Sequence, residues 1–114
     1  MDKNIDAWLY DIKKAIYEID SFLENKPNDF FEYRKDILLK RAIERELEII
    51  GEALNRIVKA EPAMERKITD ARNIIGLRNQ VIHAYDNISD ETIWSIIINH
   101  LPKLKDEVDR LLKE

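Results

Sequence analysis

Arg41-Ala42-Ile43-Glu44-Arg45-Glu46-Leu47-Glu48-Ile49-Ile50-Gly51-Glu52-Ala53 is the stretch whose reading decides the fold. Ile43, Leu47 and Ile50, continued by Leu54, Ile57 and Val58, recur at three- and four-residue steps. Glu44, Glu48 and Glu52 fall at successive four-residue steps on a different line. Such a period belongs to an amphipathic helix, not to a strand, whose faces alternate every second residue. The glutamate line reads as a solvated acidic face; the alternative is that Glu52 or Arg45 enters a polar network beside the Arg78–Tyr85 stretch. Gly51 costs about 1 kcal/mol relative to Ala in a helix interior, so its presence predicts a close approach by a neighbouring helix.

Working outward, the helical period extends from about Asp29 to Lys59, with an offset between Arg34 and Asp36 that predicts a kink. Upstream, Ile5, Trp8, Leu9, Ile12, Ala15, Ile16, Ile19, Phe22 and Leu23 form one apolar stripe on a helix from Asp2 to about Glu24. Pro27 ends it, because the residue before a proline avoids helical geometry. Downstream, Pro62 ends the long helix, and Asp70 is a candidate N-cap for a third helix from Ala71 to about Ala84. Ser89 or Asp90 can cap a fourth, in which Ile93, Ile97, Leu101, Leu104, Val108 and Leu111 continue the stripe and Pro102 should introduce a kink. Trp8 and Trp94 fit core positions. The expectation is an all-α, antiparallel four-helix bundle with a kinked last helix, formed by residues 1–114 as one domain.

Composition narrows the functional classes. There is no cysteine among 114 residues, which excludes disulfides and thiolate metal sites and suits a reducing, cytoplasmic compartment. The N-terminus lacks the basic-then-apolar pattern of a signal peptide, and no apolar run approaches the roughly 18 residues needed to span a bilayer. The formal net charge of −4 argues against a protein that coats nucleic acid nonspecifically, since phosphate neutralisation drives that binding. A small site acting on one phosphate is compatible with this charge. Lys35, Lys40, Arg41, Arg45 and Arg56 are candidates for a local basic patch, diluted by nearby acids. Glu and His residues show no clustered metal-ligand spacing, and the two histidines are far apart in the chain. Neither a metal nor any other cofactor is therefore expected.

Chemistry concentrates in Arg78-Asn79-Gln80-Val81-Ile82-His83-Ala84-Tyr85. A guanidinium recognises phosphate through a planar fork of donors, and an imidazole exchanges protons near neutral pH. On one unbroken helix, residues five apart lie about 140° around the axis and about 7.5 Å along it, so Arg78 and His83 sit on adjacent flanks. They converge on one phosphate if the helix unwinds at His83, or if two-fold pairing brings one copy's Arg78 to the other's His83. The plainer alternative is a helix-terminal histidine interacting with the last carbonyls and a surface arginine. His100, beside Leu101-Pro102, carries no motif and reads as structural or surface.

The spacing R-x-x-x-x-H-x-Y resembles the motif of the HepT-like ribonuclease toxins of the HEPN superfamily of small helical proteins. The resemblance extends to the Arg41–Ala53 block, to Ile74-Ile75-Gly76-Leu77-Arg78-Asn79, to Thr92-Ile93-Trp94 and to Leu101-Pro102-Lys103-Leu104, and is weaker over the first 30 residues. It implies a HEPN-like bundle and a toxin acting as a metal-independent endoribonuclease on RNA. Arg78 and His83 are then the catalytic pair, Asn79 a supporting residue, and Tyr85 the AMP acceptor. The implied partners are a second copy of the chain and an MntA-type nucleotidyltransferase antitoxin. An alternative from another class is a noncatalytic helical dimer that docks such a nucleotidyltransferase; a third is a helical protein with no ligand.

Overall fold

The computed structural model describes residues 3–82 and 89–113, with residues 78–82 described by their backbone alone. Six α-helices follow in order: α1 (Lys3–Leu23), α2 (Phe30–Lys35), α3 (Ile37–Ala60), α4 (Ala71–Ile82), α5 (Asp90–Ser95) and α6 (Leu101–Leu112). A 3₁₀ segment (Pro62–Lys67) joins α3 to α4, and a π-helical turn (Ile96–His100) joins α5 to α6. The all-α expectation is met. No described helix is long and apolar enough to cross a membrane.

The centre is α3. Ile43, Leu47, Ile50, Leu54 and Ile57 are completely buried, and α3 packs against both α1 and α4. From α1, Leu9, Ile12, Ile16 and Ile19 complete the core, while α6 closes the other side of α1 with Leu104, Val108 and Leu111. Lys13 pairs with Asp109 at 3.5 Å and Lys105 with Asp20 at 3.4 Å, so α1 and α6 run antiparallel. Gly51 is buried among the inward residues of α3, as its place in a helix interior suggested.

Two of the four predicted helices are broken, each at a residue whose chemistry explains the break. The long second helix divides at Asp36, whose backbone leaves the helical region at φ −92°, ψ 90°. Its amide donates to the Tyr33 carbonyl, closing α2, and its carboxylate accepts from the Leu39 amide at 3.0 Å, opening α3. That amide hydrogen bond, with Lys26 at 3.2 Å, holds the Asp36 carboxyl below the usual carboxylate range. The offset thus becomes a full stop and restart. In the last helix, the kink expected at Pro102 takes the form of a π turn immediately upstream. Proline has no amide to donate and its ring crowds the carbonyl four residues back. The backbone widens instead, and the Leu101 amide bonds to the Ile96 carbonyl, five residues earlier. Ser89 caps α5, its hydroxyl accepting from the Thr92 amide at 3.1 Å.

One buried carboxyl departs from the apolar pattern of the α1–α3 contact. Glu46 is only 5% exposed and is hydrogen-bonded to Glu18 of α1. Burial, and then the neighbouring Glu18, push its pKa from 4.5 up to about 7. The folded chain therefore holds this proton to higher pH than the unfolded chain does. The contribution to stability is full below about pH 4.5 and is lost as pH rises through about 7. Glu46→Gln, which keeps the shape without the charge, is expected to raise the denaturation midpoint at pH 8 and to leave it unchanged at pH 4. Equal shifts at both pH values in urea titrations would contradict this assignment.

Candidate active site

Arg78 and Asn79 lie on α4, which is helical through Ile82. Ala71, Ile74, Ile75 and Leu77 are buried and fix this helix against α3. The side chains of Arg78 and Asn79, and all of His83 and Tyr85, lie outside the described residues. What the structure supplies is the surroundings of the motif: the helix that leads into it and the first turn of α5, which follows it.

Two side-chain ties set the start of α4 against the last helix. The Thr69 amide and hydroxyl both donate to the Glu107 carboxylate, at 3.1 and 2.7 Å. The carboxylate of Asp70, nearly buried, lies 3.0 Å from Nδ1 of His100 and 3.9 Å from the Lys103 ammonium. Asp70 also opens α4, its carbonyl accepting from the Ile74 amide at 3.0 Å, in keeping with a helix start at this position. His100 stands at the end of the π turn, 30 residues from Asp70 in sequence. Nothing local in the sequence announces its partner.

Between α4 and α5 lies a groove of about 590 Å³. Ile74, Leu77 and Ile96 form its apolar surface; Asp70, Asn73, Glu91, Ser95 and His100 bring polar groups to it. On the opposite side of α5, the Tyr33 ring lies 5.1 Å from the Trp94 ring, and Lys40 pairs with Asp90 at 3.3 Å. Trp94 is half-buried against the core, as is Trp8. The Tyr33 hydroxyl is buried with no hydrogen-bond partner among the described residues. Burial, then the charges of Asp90 and Glu44, raise its pKa above that of an ordinary tyrosine.

The electrostatics of the α2–α3 surface are resolved pair by pair. Lys35 faces Glu32, Lys40 faces Asp90, Arg41 faces Glu44, Arg45 faces Glu48 and Arg56 faces Glu52, at distances between 3.1 and 3.9 Å. The glutamate line of α3 is therefore an ion-paired face. The five cations that the sequence offered as a basic patch are each matched by a carboxylate. Such exposed pairs add little to stability, but they cancel the local positive field that would attract a polyanion.

An all-helical chain with Arg78 on a helix seated against the central α3, within the spacing R-x-x-x-x-H-x-Y, defines a small helical protein of the HEPN type. The chain belongs to the HepT-like family, described as Ribonuclease HepT-like, whose match covers residues 12–111. Among its relatives are two proteins of Methanocaldococcus jannaschii whose names begin "Putative RNase". One is 32% identical over 98% of this chain and 90% of its own length. The other is 32% identical over 94% of this chain and 95% of its own. A Thermococcus cleftensis protein named "Probable ribonuclease HepT" is 29% identical over 99% of this chain and its whole length. No solved structure matches.

Gly76 lines the groove two residues before Arg78, and a Cβ placed on it meets no described atom within 4 Å. No contact with the described fold requires a glycine here. Gly76→Ala is therefore expected to stabilise the fold by about 0.5–1 kcal/mol, the helix-propensity difference. Urea denaturation showing a loss of stability would reveal a contact with the Cβ position from elsewhere.

Proposed function

We propose that this protein is the toxin of a toxin–antitoxin pair, a metal-independent endoribonuclease silenced by adenylylation of Tyr85. The observation that carries the reading is the family match over residues 12–111, with the Arg78–Tyr85 motif inside it. The names of the relatives support the RNA substrate. In this reading His83 takes the proton from an RNA 2′-hydroxyl, whose oxygen attacks the adjacent phosphorus. The bond to the 5′-oxygen breaks, and that oxygen leaves with a proton returned by the imidazolium. The products are a 2′,3′-cyclic phosphate and a 5′-hydroxyl end. Arg78 binds the phosphate oxygens as negative charge builds on them, and Asn79 supports that contact. Because Arg78 and His83 diverge on a regular helix, the site is completed by a symmetric dimer in which the two motifs share one cleft.

Arg78→Ala and His83→Ala are each expected to abolish RNA cleavage and growth inhibition while leaving the helical circular-dichroism signal unchanged. Loss of a phosphate clamp or of the proton-transfer group typically costs a factor of about 10² or more. Cleavage by the unaltered chain should persist in EDTA, and mass spectrometry of its products should find cyclic phosphate ends. Cleavage that disappears in EDTA would overturn the metal-free mechanism.

Regulation follows from the tyrosine two residues beyond His83. Attack of the Tyr85 oxygen on the α-phosphate of ATP, with pyrophosphate leaving, attaches AMP beside the site. The added bulk and negative charge repel the RNA phosphate. With an MntA-type nucleotidyltransferase, ATP and magnesium, at least one AMP is expected on Tyr85. Tyr85→Phe should stay toxic and escape neutralisation, since only the acceptor oxygen is lost. AMP mapped by mass spectrometry to another residue would sink this assignment.

The docking alternative, a noncatalytic dimer whose motif only receives the nucleotidyltransferase, draws on one observation: the paired cations of the α2–α3 surface leave no broad attraction for RNA. Purified chain that cuts no RNA yet is modified at Tyr85 would favour it.

A further inference from the structure

The ribonuclease reading leaves open how an acidic protein holds its RNA. With a net charge of −4 and the α2–α3 cations matched by carboxylates, phosphate attraction over the surface is weak. Contacts close to the motif then carry more of the recognition, and the α4–α5 groove has the chemistry for them. Its volume of about 590 Å³ exceeds what one base needs, and Ile74, Leu77 and Ile96 give it an apolar surface. Leu77 of the groove directly precedes Arg78 on α4, so the groove begins where the motif begins.

Three features meet at His100. It ends the π-helical turn, a rare geometry that often marks functional sites. Its Nδ1 is held at 3.0 Å by the nearly buried Asp70, which fixes the ring orientation. It borders the α4–α5 groove. A histidine of purely structural value needs the second feature only. Around the ring, Asn73 offers both a donor and an acceptor, and Glu91 offers acceptors. The Ser95 hydroxyl accepts from Asn99 Nδ2 at 3.2 Å, which leaves its own proton available to donate. Apolar walls, an oriented aromatic ring and a few hydrogen-bonding groups are what an unstacked nucleobase requires. The charged groups that line the groove are each balanced or of mixed sign: Asp70 is paired with His100 and Lys103, Arg72 with Glu65, and Glu91 adds a carboxylate.

Resting on the ribonuclease reading, we propose that this groove is a base-recognition subsite for single-stranded RNA beside the scissile phosphate. His100 is the stacking platform, held by Asp70, and Asn73, Ser95 and Glu91 read the edge of the base. The chain then selects its cleavage position by one flanking base instead of by backbone charge.

The test uses the full chain carrying His83→Ala, so that RNA is bound and not cut, with fluorescently labelled hexamers of A, C, G or U read by anisotropy. The parent is expected to prefer one hexamer at least 5-fold. His100→Ala should weaken that hexamer by about 5-fold or more, the low end for loss of one base stack. Asn73→Ala, at an exposed position, should flatten the preference among the four and carries the test if His100→Ala lowers the melting temperature. The affinity should also fall only shallowly with salt, by less than the roughly 0.7 log units per log unit of salt expected for each phosphate contact, multiplied over a strand-binding surface. Equal binding of all four hexamers, or unchanged binding by both variants, overturns the subsite while cleavage by the unaltered chain keeps the ribonuclease reading. Loss of dimer in sedimentation of His100→Ala, with base preference unchanged, overturns it in favour of a second copy occupying the groove. If the unaltered chain cuts no RNA at all, the ribonuclease reading itself fails.

Discussion

The structure depends on the burial of one face of α3. Five large aliphatic side chains on that face are fully out of water, and each fully buried side chain of this kind contributes about 1.5–3 kcal/mol relative to exposure. No other helix packs extensively on two partners in the same way: α1 lies along one side of α3 and α4 along the other. Fixing α3 therefore fixes α4, and α4 carries Arg78. The apolar core and the candidate site are linked by one helix–helix contact.

Departures from that regular packing are confined to places where the backbone has a specific reason to leave the helix. Asp36 ends one helix and starts the next through two hydrogen bonds that a continuous helix has no use for. Pro102 forces a wider turn at Ile96–His100, and that turn sets His100 against Asp70. Both breaks flank α5, the helix that follows the motif. Its other neighbours, Tyr33 through Trp94 and Lys40 through Asp90, tie it to α2 and α3. The two helices between which the motif falls in sequence are thus each anchored by side chains distant in sequence.

Charge is arranged with equal economy. The acidic line of α3 and the basic residues one turn away neutralise each other in a row of ion pairs. A surface organised in this way gives little steering of polyanions. The buried Glu46–Glu18 contact shows that α1 and α3 also tolerate an ionisable pair, as long as one carboxyl keeps its proton.

The sequence by itself determined the helical class, the central place of residues 41–58 and the family, because a 3.6-residue period and a motif of fixed spacing are local properties of the chain. It located the irregularity near Asp36 and the effect of Pro102, since an apolar offset and a missing amide are written in the residues themselves. It also nominated Arg78, Asn79, His83 and Tyr85 as candidate site residues, through the resemblance of their spacing to the family motif. What it could not reveal was pairing across distance. That the kink at Asp36 is a complete double cap, that Lys35, Lys40, Arg41, Arg45 and Arg56 each meet a carboxylate, and that Asp70 meets His100 across 30 residues were decided only by the tertiary structure. The reason is physical: a period reports which face of a helix is buried, whereas the partner of a polar side chain depends on how the helices are packed.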